Sequence, residues 1–171
     1  NDQVYIYDTT LRDGCQAEGV SLSLEEKIEV AARLDQMGVH YIEGGYPLSN
    51  PKDAEFFNRV AQLDLHTARV AAFGSTRRAD TACENDRGLQ ALLQAETPVV
   101  TIVAKAWDLH VEKVLRTSLD ENLRMVEDSV RFLKDRGREV IVDPEHFFDG
   151  LADDGDHAMR VVEVAAEAGA D

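Results

Sequence analysis

Charged side chains that can bind metals or move protons follow four hydrophobic runs of this sequence. Arg12 and Asp13 come shortly after the run VYIY, and Glu43 ends the run VHYIE. Lys105 follows PVVTIVA, and Glu145 comes just after EVIVD. Carboxylates bind hard divalent cations, and a guanidinium stabilises negatively charged oxygen atoms. If the runs are strands ending at one edge of a sheet, these residues form a site for a divalent cation and an oxyanionic substrate.

The same residues also fit structural roles. Arg12 and Asp13 fit a surface ion pair in a turn, and Lys105 fits an ordinary loop position. Glu145, just before the sequence HFF, fits a carboxylate at a helix start. The glycine pair that follows Glu43 lacks the fuller patterns of phosphate-binding loops, and neither cysteine has a partner at metal-ligand spacing.

The elements that must position these residues alternate regularly between strands and helices. We predict strands at 4–8, 39–43, 69–73, 98–104 and 139–143. Ser23 with Glu26, and Ser118 with Glu121, have the spacing of a capping box at a helix start. We predict helices between Ser23 and Gly38, from Asn50 to about Leu63, and over 86–95, 118–136 and 156–168. This alternation predicts an α/β fold with a parallel sheet.

Two folds accommodate five such units. At about 34 residues per unit, eight units need roughly 270 residues, close to the length of a (β/α)8 TIM barrel. The last four residues, AGAD, resemble MGVH at 37–40, where a helix passes into a strand, so we expect a sixth strand after Asp171. We interpret residues 1–171 as the first five βα units, an incomplete N-terminal part of a barrel catalytic domain. The alternative is a complete five-stranded doubly wound sheet of flavodoxin type.

Composition excludes several classes of protein. The formal net charge of −15 disfavours a nucleic-acid partner, because phosphates repel an acidic surface. No apolar run reaches the ~18 to 20 residues that span a bilayer, and the first residues do not have the pattern of a signal peptide. Two cysteines do not form a disulfide scaffold. We therefore expect a cytoplasmic protein with neither a nucleic-acid nor a membrane partner.

A long motif narrows the interpretation. The string YDTTLRDGCQAEGVSLSLEEK resembles the first-strand signature of the DRE-TIM metallolyase superfamily, which includes 2-isopropylmalate synthases, homocitrate synthases, citramalate synthases and hydroxymethylglutaryl-CoA lyases. The segments YIEGGYPLSNPKDAEFF, AAFGSTRR, WDLHVEKVLRTSLDENLRMVEDSV and DPEHFFDG are similar to the citramalate synthase branch. The resemblance extends from Tyr5 to Asp171. Cys15 stands where we expect Thr or another small residue, outside the chemical positions.

The resemblance implies an acyltransferase of branched-chain amino-acid biosynthesis. It would condense acetyl-CoA with a 2-oxo acid, with pyruvate favoured, to give (R)-citramalate and coenzyme A. The implied catalytic residues are Arg12 at the developing oxyanion and Glu145 at the methyl proton. Asp13 would bind a divalent cation of the Mg, Mn or Zn class. Substrate-binding candidates are Gln16, Glu43, Lys105 and His110.

The resemblance also leaves alternatives open. The family completes its metal site with a His-x-His pair, which occurs nowhere in these 171 residues. We therefore expect the later strands and the C-terminal regulatory domain to be absent and the isolated chain to be inactive. We separately expect the full-length enzyme to be a homodimer. A 2-isopropylmalate or homocitrate synthase, or a lyase that cleaves a related thioester, would share the same Arg12 and Asp13. A flavodoxin-like binding domain is the alternative that is not an enzyme.

Overall fold

A sheet of five strands and its connecting helices form the structure. The computed structural model describes residues 4–171, apart from the side chain of residue 154. The strands are β1 (Tyr7–Asp8), β2 (Tyr41–Gly45), β3 (Arg69–Ser75), β4 (Val99–Lys105) and β5 (Glu139–Glu145). The helices are α1 (Leu24–Gln36), α2 (Pro51–Val60), α3 (Arg87–Gln94), α4 (Asp108–His110), α5 (Leu119–Lys134) and α6 (Phe147–Glu167). None of the helices in this part of the chain is long and apolar enough to cross a membrane.

The order of the strands distinguishes the two predicted folds. The sheet has the order β1-β2-β3-β4-β5, and β2 pairs in parallel with both β1 and β3. A flavodoxin-type sheet would place β1 between β2 and β3. The alternative of a complete doubly wound sheet is therefore wrong, and consecutive neighbours are the arrangement of a (β/α)8 barrel.

The helix starts that the sequence predicts are largely confirmed. The Ser23 hydroxyl accepts a hydrogen bond from the Glu26 amide at 3.2 Å, and the Glu26 carboxylate accepts one from the Ser23 amide at 2.7 Å. Hydrogen bonding of the Glu26 carboxylate to Ser23, above all to the Ser23 backbone amide, lowers the pKa of Glu26 below its usual value. Asn50 caps α2 with a single bond, in which its side-chain oxygen accepts from the Asp53 amide at 2.8 Å.

Residues 4–73 and 91–99 form one compact unit. In it, the carboxylate of Asp35 accepts hydrogen bonds from the amides of Ala68, Thr67 and His66 at 2.7 to 3.1 Å. The Ala68 amide contributes most to lowering the pKa of Asp35, against the effect of burial. These bonds connect the end of α1 to the loop before β3.

A bulge in β2 changes the pairing next to Glu43. Glu43 pairs with Ala71 and Gly45 pairs with Ala72, so Gly44 is the extra residue. A Cβ at Gly44 would lie 2.4 Å from the Phe56 ring, so this position requires glycine. The sequence predicted that β2 ends at Glu43, which is wrong: the glycines allow β2 to continue to Gly45 as a bulge.

Residues 74–90 and 100–171 form the second compact unit. Here α5 packs against α6 and β5. The buried side chains include Ile102, Val126, Val130, Leu133, Val140, Ala158 and Val161. The buried apolar positions of α5 recur at helical spacing, within the helix that the sequence predicted at 118–136.

Helix α6 begins earlier than the sequence predicted. It starts at Phe147 rather than at Asp156, so the predicted start is wrong by nine residues. Gly150 lies within this additional part of the helix. A Cβ at Gly150 would come 2.9 Å from the Ala106 carbonyl oxygen, so Gly150 permits close packing of α6 on that backbone.

Candidate functional site

The turn after β1 positions the first candidate residues. The Asp8 carboxylate accepts hydrogen bonds from the amide and the hydroxyl of Thr10, at 2.9 and 3.0 Å. The Thr9 carbonyl accepts from the amides of Arg12 and Gly14, both at 3.1 Å. Because these bonds fold the backbone tightly, the Arg12 side chain emerges from a fixed turn.

Arg12 is held by a buried carboxylate. Its Nε donates to Glu43 Oε1 at 2.5 Å, and its Nη1 donates to Asp13 Oδ1 at 3.1 Å. The guanidinium carbon lies 4.0 Å from the centre of the Phe73 ring. Among residues 4–171, Nη2 has no hydrogen-bond partner. One edge of the guanidinium therefore remains available for a ligand.

Glu43 is only 1% exposed, and both of its carboxylate oxygens are occupied. Oε1 accepts from Arg12, and Oε2 accepts from the Tyr7 hydroxyl at 2.5 Å. Glu43 and Tyr7 reach each other from paired strands, since Tyr7 lies opposite Tyr41 in the register of β1 and β2. This geometry suits Glu43 to orient Arg12.

A cavity of about 330 Å³ adjoins Arg12 in the same unit. Its lining includes Arg12, Cys15, Gln16, Tyr46, Lys52 and Phe73. Gln16, a predicted substrate-binding residue, thus lies on the same cavity as Arg12. Lys27 and Asp53 also line the cavity and pair with each other at 2.8 Å, so Arg12 and Lys52 remain as the cationic groups that suit a small anionic ligand.

In the second unit, Lys105 and Glu145 form an ion pair between the ends of β4 and β5. The Lys105 ammonium binds Glu145 Oε2, and Oε1 has no hydrogen-bond partner among the described residues. The Glu145 side chain is 37% exposed. Glu145 therefore has one carboxylate oxygen bound by Lys105 and one available to a ligand.

His110 lies in a cluster of rings in this unit. Its ring centre is 4.9 Å from that of Trp107 and 4.6 Å from that of His146. His146 is held in a left-handed backbone conformation, and its Nδ1 is 2.8 Å from the Asp149 carboxylate. The buried Nδ1 of His110 has no hydrogen-bond partner in the described part of the chain. His110 is therefore placed by ring packing.

The described residues do not assemble a complete metal site. Among residues 4–171, no group of three or more His, Cys, Asp or Glu side chains is arranged to hold an ion. Asp13 carries a side chain that is 63% exposed, and only its Oδ1 is bonded to Arg12. Asp13 can supply one oxygen ligand, but these residues alone do not fit a whole cation site.

A second arginine cluster serves the fold. Arg77 pairs with Glu121 at 2.7 Å and with Asp128 at 2.8 Å. Burial raises the pKa of Glu121, but hydrogen bonds, above all from Arg77, outweigh this effect and lower it to about 2. Burial opposes the charge of Arg77, yet its carboxylate partners raise its pKa. This cluster fixes the loop after β3 to α5.

The sequence reasoning missed several residues that shape these clusters. Tyr7 and Phe73 contact Glu43 and Arg12 from neighbouring strands; both lie within the segments that carry the resemblance, but no role was predicted for them. Asn122 is fully buried on α5, where its amide bonds to the backbone of Lys105. A signal for it existed, because Asn122 is a polar residue within the apolar stripe of the predicted helix.

Comparison with solved structures supports the barrel fold. A hydroxymethylglutaryl-CoA lyase from Bacillus subtilis matches with a TM-score of 0.76 at 21% identity, over 99% of this chain and 56% of that one. A lyase from Acinetobacter baumannii, solved in complex with coenzyme A and 3-methylmalate, matches with a TM-score of 0.74 at 17% identity, over 99% of this chain and 54% of that one. At these identities the likeness concerns the fold.

Comparison with curated proteins is closer in sequence. The (R)-citramalate synthase of Aquifex aeolicus is 52% identical over 99% of this chain, and that of Geobacter sulfurreducens is 51% identical over 98%. In both cases the match covers 32% of the relative, so the chain spans about a third of the length of these relatives. The model of the HMGL-like family matches residues 3–171. The chain therefore belongs to the HMGL-like family, within the DRE-TIM metallolyases.

Proposed function

We propose that this chain is the N-terminal part of the catalytic domain of a citramalate synthase. The reaction would condense acetyl-CoA with pyruvate to give (R)-citramalate and free coenzyme A. The observation that carries this proposal is Arg12, which a buried glutamate holds beside a cavity with one edge available. The 46 to 52% identity to curated citramalate synthases supports it.

Arg12 acts on the 2-oxo acid. When a carbon nucleophile attacks the ketone, the carbonyl oxygen gains negative charge. A guanidinium that is already oriented stabilises that charge without reorganising at the moment of reaction. Glu43, Tyr7 and the Phe73 ring supply this orientation.

Glu145 acts on acetyl-CoA. Its available Oε1 takes a proton from the methyl group, and the enolate that results attacks the ketone carbon of pyruvate. The Lys105 ammonium orients the carboxylate by binding Oε2. Water then cleaves the thioester and releases coenzyme A. Gln16 and His110 are second-rank candidates for orienting the substrates.

A divalent cation is part of the proposal for the whole enzyme. When bound, it would polarise the ketone as a Lewis acid. Asp13 is the one ligand that we assign in this chain. Asp13→Asn removes the anionic oxygen donor, so we expect weaker binding of Mn²⁺ in a direct titration of the protein at the length of its relatives. Unchanged Mn²⁺ affinity would remove Asp13 from the ligand set.

The proposed reaction is tested by coenzyme A release from acetyl-CoA in the protein at the length of its curated relatives. We expect release with pyruvate and little release with bulkier 2-oxo acids. A lyase is the second candidate, because the same arginine can stabilise the oxyanion of the reverse cleavage. Cleavage of a 3-hydroxyacyl-CoA without any condensation would favour the lyase and overturn the synthase.

Glu145→Gln tests the assignment of the base. The variant keeps the shape of the side chain but cannot accept the proton, so exchange of acetyl-CoA methyl protons with deuterated solvent should fall by about 100-fold or more. Glu139→Gln, at the other end of β5, is the matched control and should leave exchange unchanged. Equal exchange in native protein and Glu145→Gln would place the base elsewhere.

A further inference from the structure

The peptide bond between Lys105 and Ala106 is hydrogen-bonded at both of its ends. The Ala106 amide donates to the Glu145 carbonyl at 3.3 Å. The Lys105 carbonyl accepts from Asn122 Nδ2 at 2.8 Å. This peptide therefore connects the backbone of Glu145 to a side chain of α5, at the point where the Lys105 and Glu145 side chains meet.

The Asn122 amide has a single orientation that fits its surroundings. Nδ2 lies 2.8 Å from the Lys105 carbonyl and 3.1 Å from His157 Nε2. If the amide were reversed, its oxygen would face the carbonyl oxygen of Lys105, and two acceptors would repel each other. Nδ2 therefore donates to Lys105, and Oδ1 is left without a partner among the described residues.

An unbonded Oδ1 lowers stability, so this arrangement is unfavourable if Asn122 serves only to pack the core. Asn122 is 0% exposed, and a buried oxygen without a hydrogen bond destabilises the fold. An apolar residue of similar size would avoid that cost on α5. The amide contacts the Lys105 carbonyl and His157, which an apolar residue would not do, and the bond to Lys105 is the one that restrains the backbone beside Glu145.

A close helix contact restrains the same backbone. Gly150 of α6 comes so near that a Cβ there would lie 2.9 Å from the Ala106 carbonyl oxygen and 3.0 Å from the Trp107 Cα. Residues 105–107 are thus held by β5, by Asn122 of α5 and by α6. Of these restraints, only Asn122 acts through a side-chain hydrogen bond on the Lys105 carbonyl.

We propose that Asn122 is a positioning residue that clamps the Lys105–Ala106 peptide so that Lys105 and Glu145 meet in the geometry needed for proton transfer. This inference rests on the proposed role of Glu145. Asn122 does not touch substrate, so its loss should slow the proton-transfer step without weakening the binding of the 2-oxo acid.

The test uses a protein as long as the curated relatives and compares its Asn122→Asp and Asn122→Ala variants with the native form. Asp keeps the shape but loses the donor, and Ala loses the donor without burying a charge, so one variant remains informative if the other fails to fold. We expect kcat and methyl-proton exchange to fall by about 10- to 100-fold, with KM for pyruvate within about twofold of native. We also expect faster hydrogen exchange at the Ala106 amide than in native protein, relative to Ile102 in the middle of β4.

Ser129→Ala is the matched control. Ser129 is another fully buried polar residue of α5, and it accepts from the Arg77 amide at 2.8 Å. The Ser129→Ala variant should be less stable than native protein but have the same kcat and the same exchange rate at the Ala106 amide. If the Asn122 variants behave like Ser129→Ala, Asn122 is structural only and the proposal fails. If the native protein does not condense pyruvate, the proposed function fails, while unchanged Ala106 exchange in the variants would separately refute the clamp.

Discussion

Two arginines of this protein bind glutamates in opposite ways. All three guanidinium nitrogens of Arg77 are occupied, by Glu121, Asp128 and the Arg78 carbonyl. Arg12 binds Glu43 and Asp13 through Nε and Nη1, and its guanidinium packs on the Phe73 ring. Its Nη2 edge remains available beside a cavity. Both arginines follow a strand and both belong to ion pairs.

The difference lies in what remains after pairing. An arginine with every guanidinium nitrogen occupied connects parts of the fold, and removing Arg77 takes the main counter-charge from the buried Glu121 carboxylate. An arginine with one donor still available is oriented by its partners before a ligand binds to that donor. Electrostatic catalysis requires this kind of donor, because the protein bears the cost of orientation before the substrate arrives.

Arg77→Met should produce the largest effect. It leaves Glu121, which is 8% exposed, without its main partner, so we expect a loss of about 3 to 5 kcal/mol in the free energy of unfolding. Chemical denaturation measures this loss. Arg124→Met is the control: Arg124 also pairs with Glu121, but its side chain is 60% exposed, so its loss should stay below about 1 kcal/mol. Equal losses in the two variants would mean that Arg77 does not fix the fold.

Arg12→Lys should lower kcat and leave stability nearly unchanged. Lysine keeps a charge for Glu43 but cannot direct a planar fork at two sets of oxygens. Losing one oriented donor to an oxyanion costs about 2.7 to 4 kcal/mol, or roughly 100- to 1000-fold in kcat. Coenzyme A release and thermal unfolding measure the two properties.

Arg77→Lys is the matched partner of this variant. It should lose stability and keep kcat per folded molecule, which is the reverse of the result for Arg12→Lys. An unchanged kcat in Arg12→Lys would remove Arg12 from the mechanism. A similar drop of kcat in both variants would contradict the conclusion that Arg12 acts in catalysis and Arg77 only in the fold.

How far the sequence predicted this contrast depends on the range of each interaction. The Ser23 and Asn50 helix starts were predictable because a cap depends on residues three positions apart. Arg12 was found through its motif, whereas the adjacent arginines Arg77 and Arg78 gave no sign of a buried network. The partners of Arg77 lie 44 and 51 positions away, and no local pattern encodes such a pairing.

The ring cluster, the start of α6 and the contact of Asn122 could not be predicted from the sequence, because each depends on packing between different elements. Gly150 lies ahead of the predicted helix start, yet in the fold it is part of α6 and allows two backbones to approach closely. Asn122 interrupts an apolar stripe, but the sequence alone cannot show which backbone carbonyl its amide reaches. Packing across elements decides both cases.

The smallest expected effect concerns acid and separates the two clusters by pH. In the folded protein the pKa of Glu121 is about 2, against a usual 4.5, because bonds from Arg77 and its neighbours outweigh the effect of burial. A lowered pKa means that the carboxylate stabilises the fold above pH 4.5, and that this stabilisation is lost as the pH falls from 4.5 through 2. Between pH 6 and pH 3 the free energy of unfolding falls by about 2 kcal/mol because of this one group.

Urea denaturation at the two pH values should show that fall in native protein. Glu121→Gln should not show it, since the amide does not titrate. Arg77→Met should lack most of it as well, because the pKa of Glu121 then returns toward 4.5, whereas Arg12→Lys should keep it in full. An identical pH dependence in native protein and Glu121→Gln would show that the Arg77 cluster does not hold Glu121 ionised.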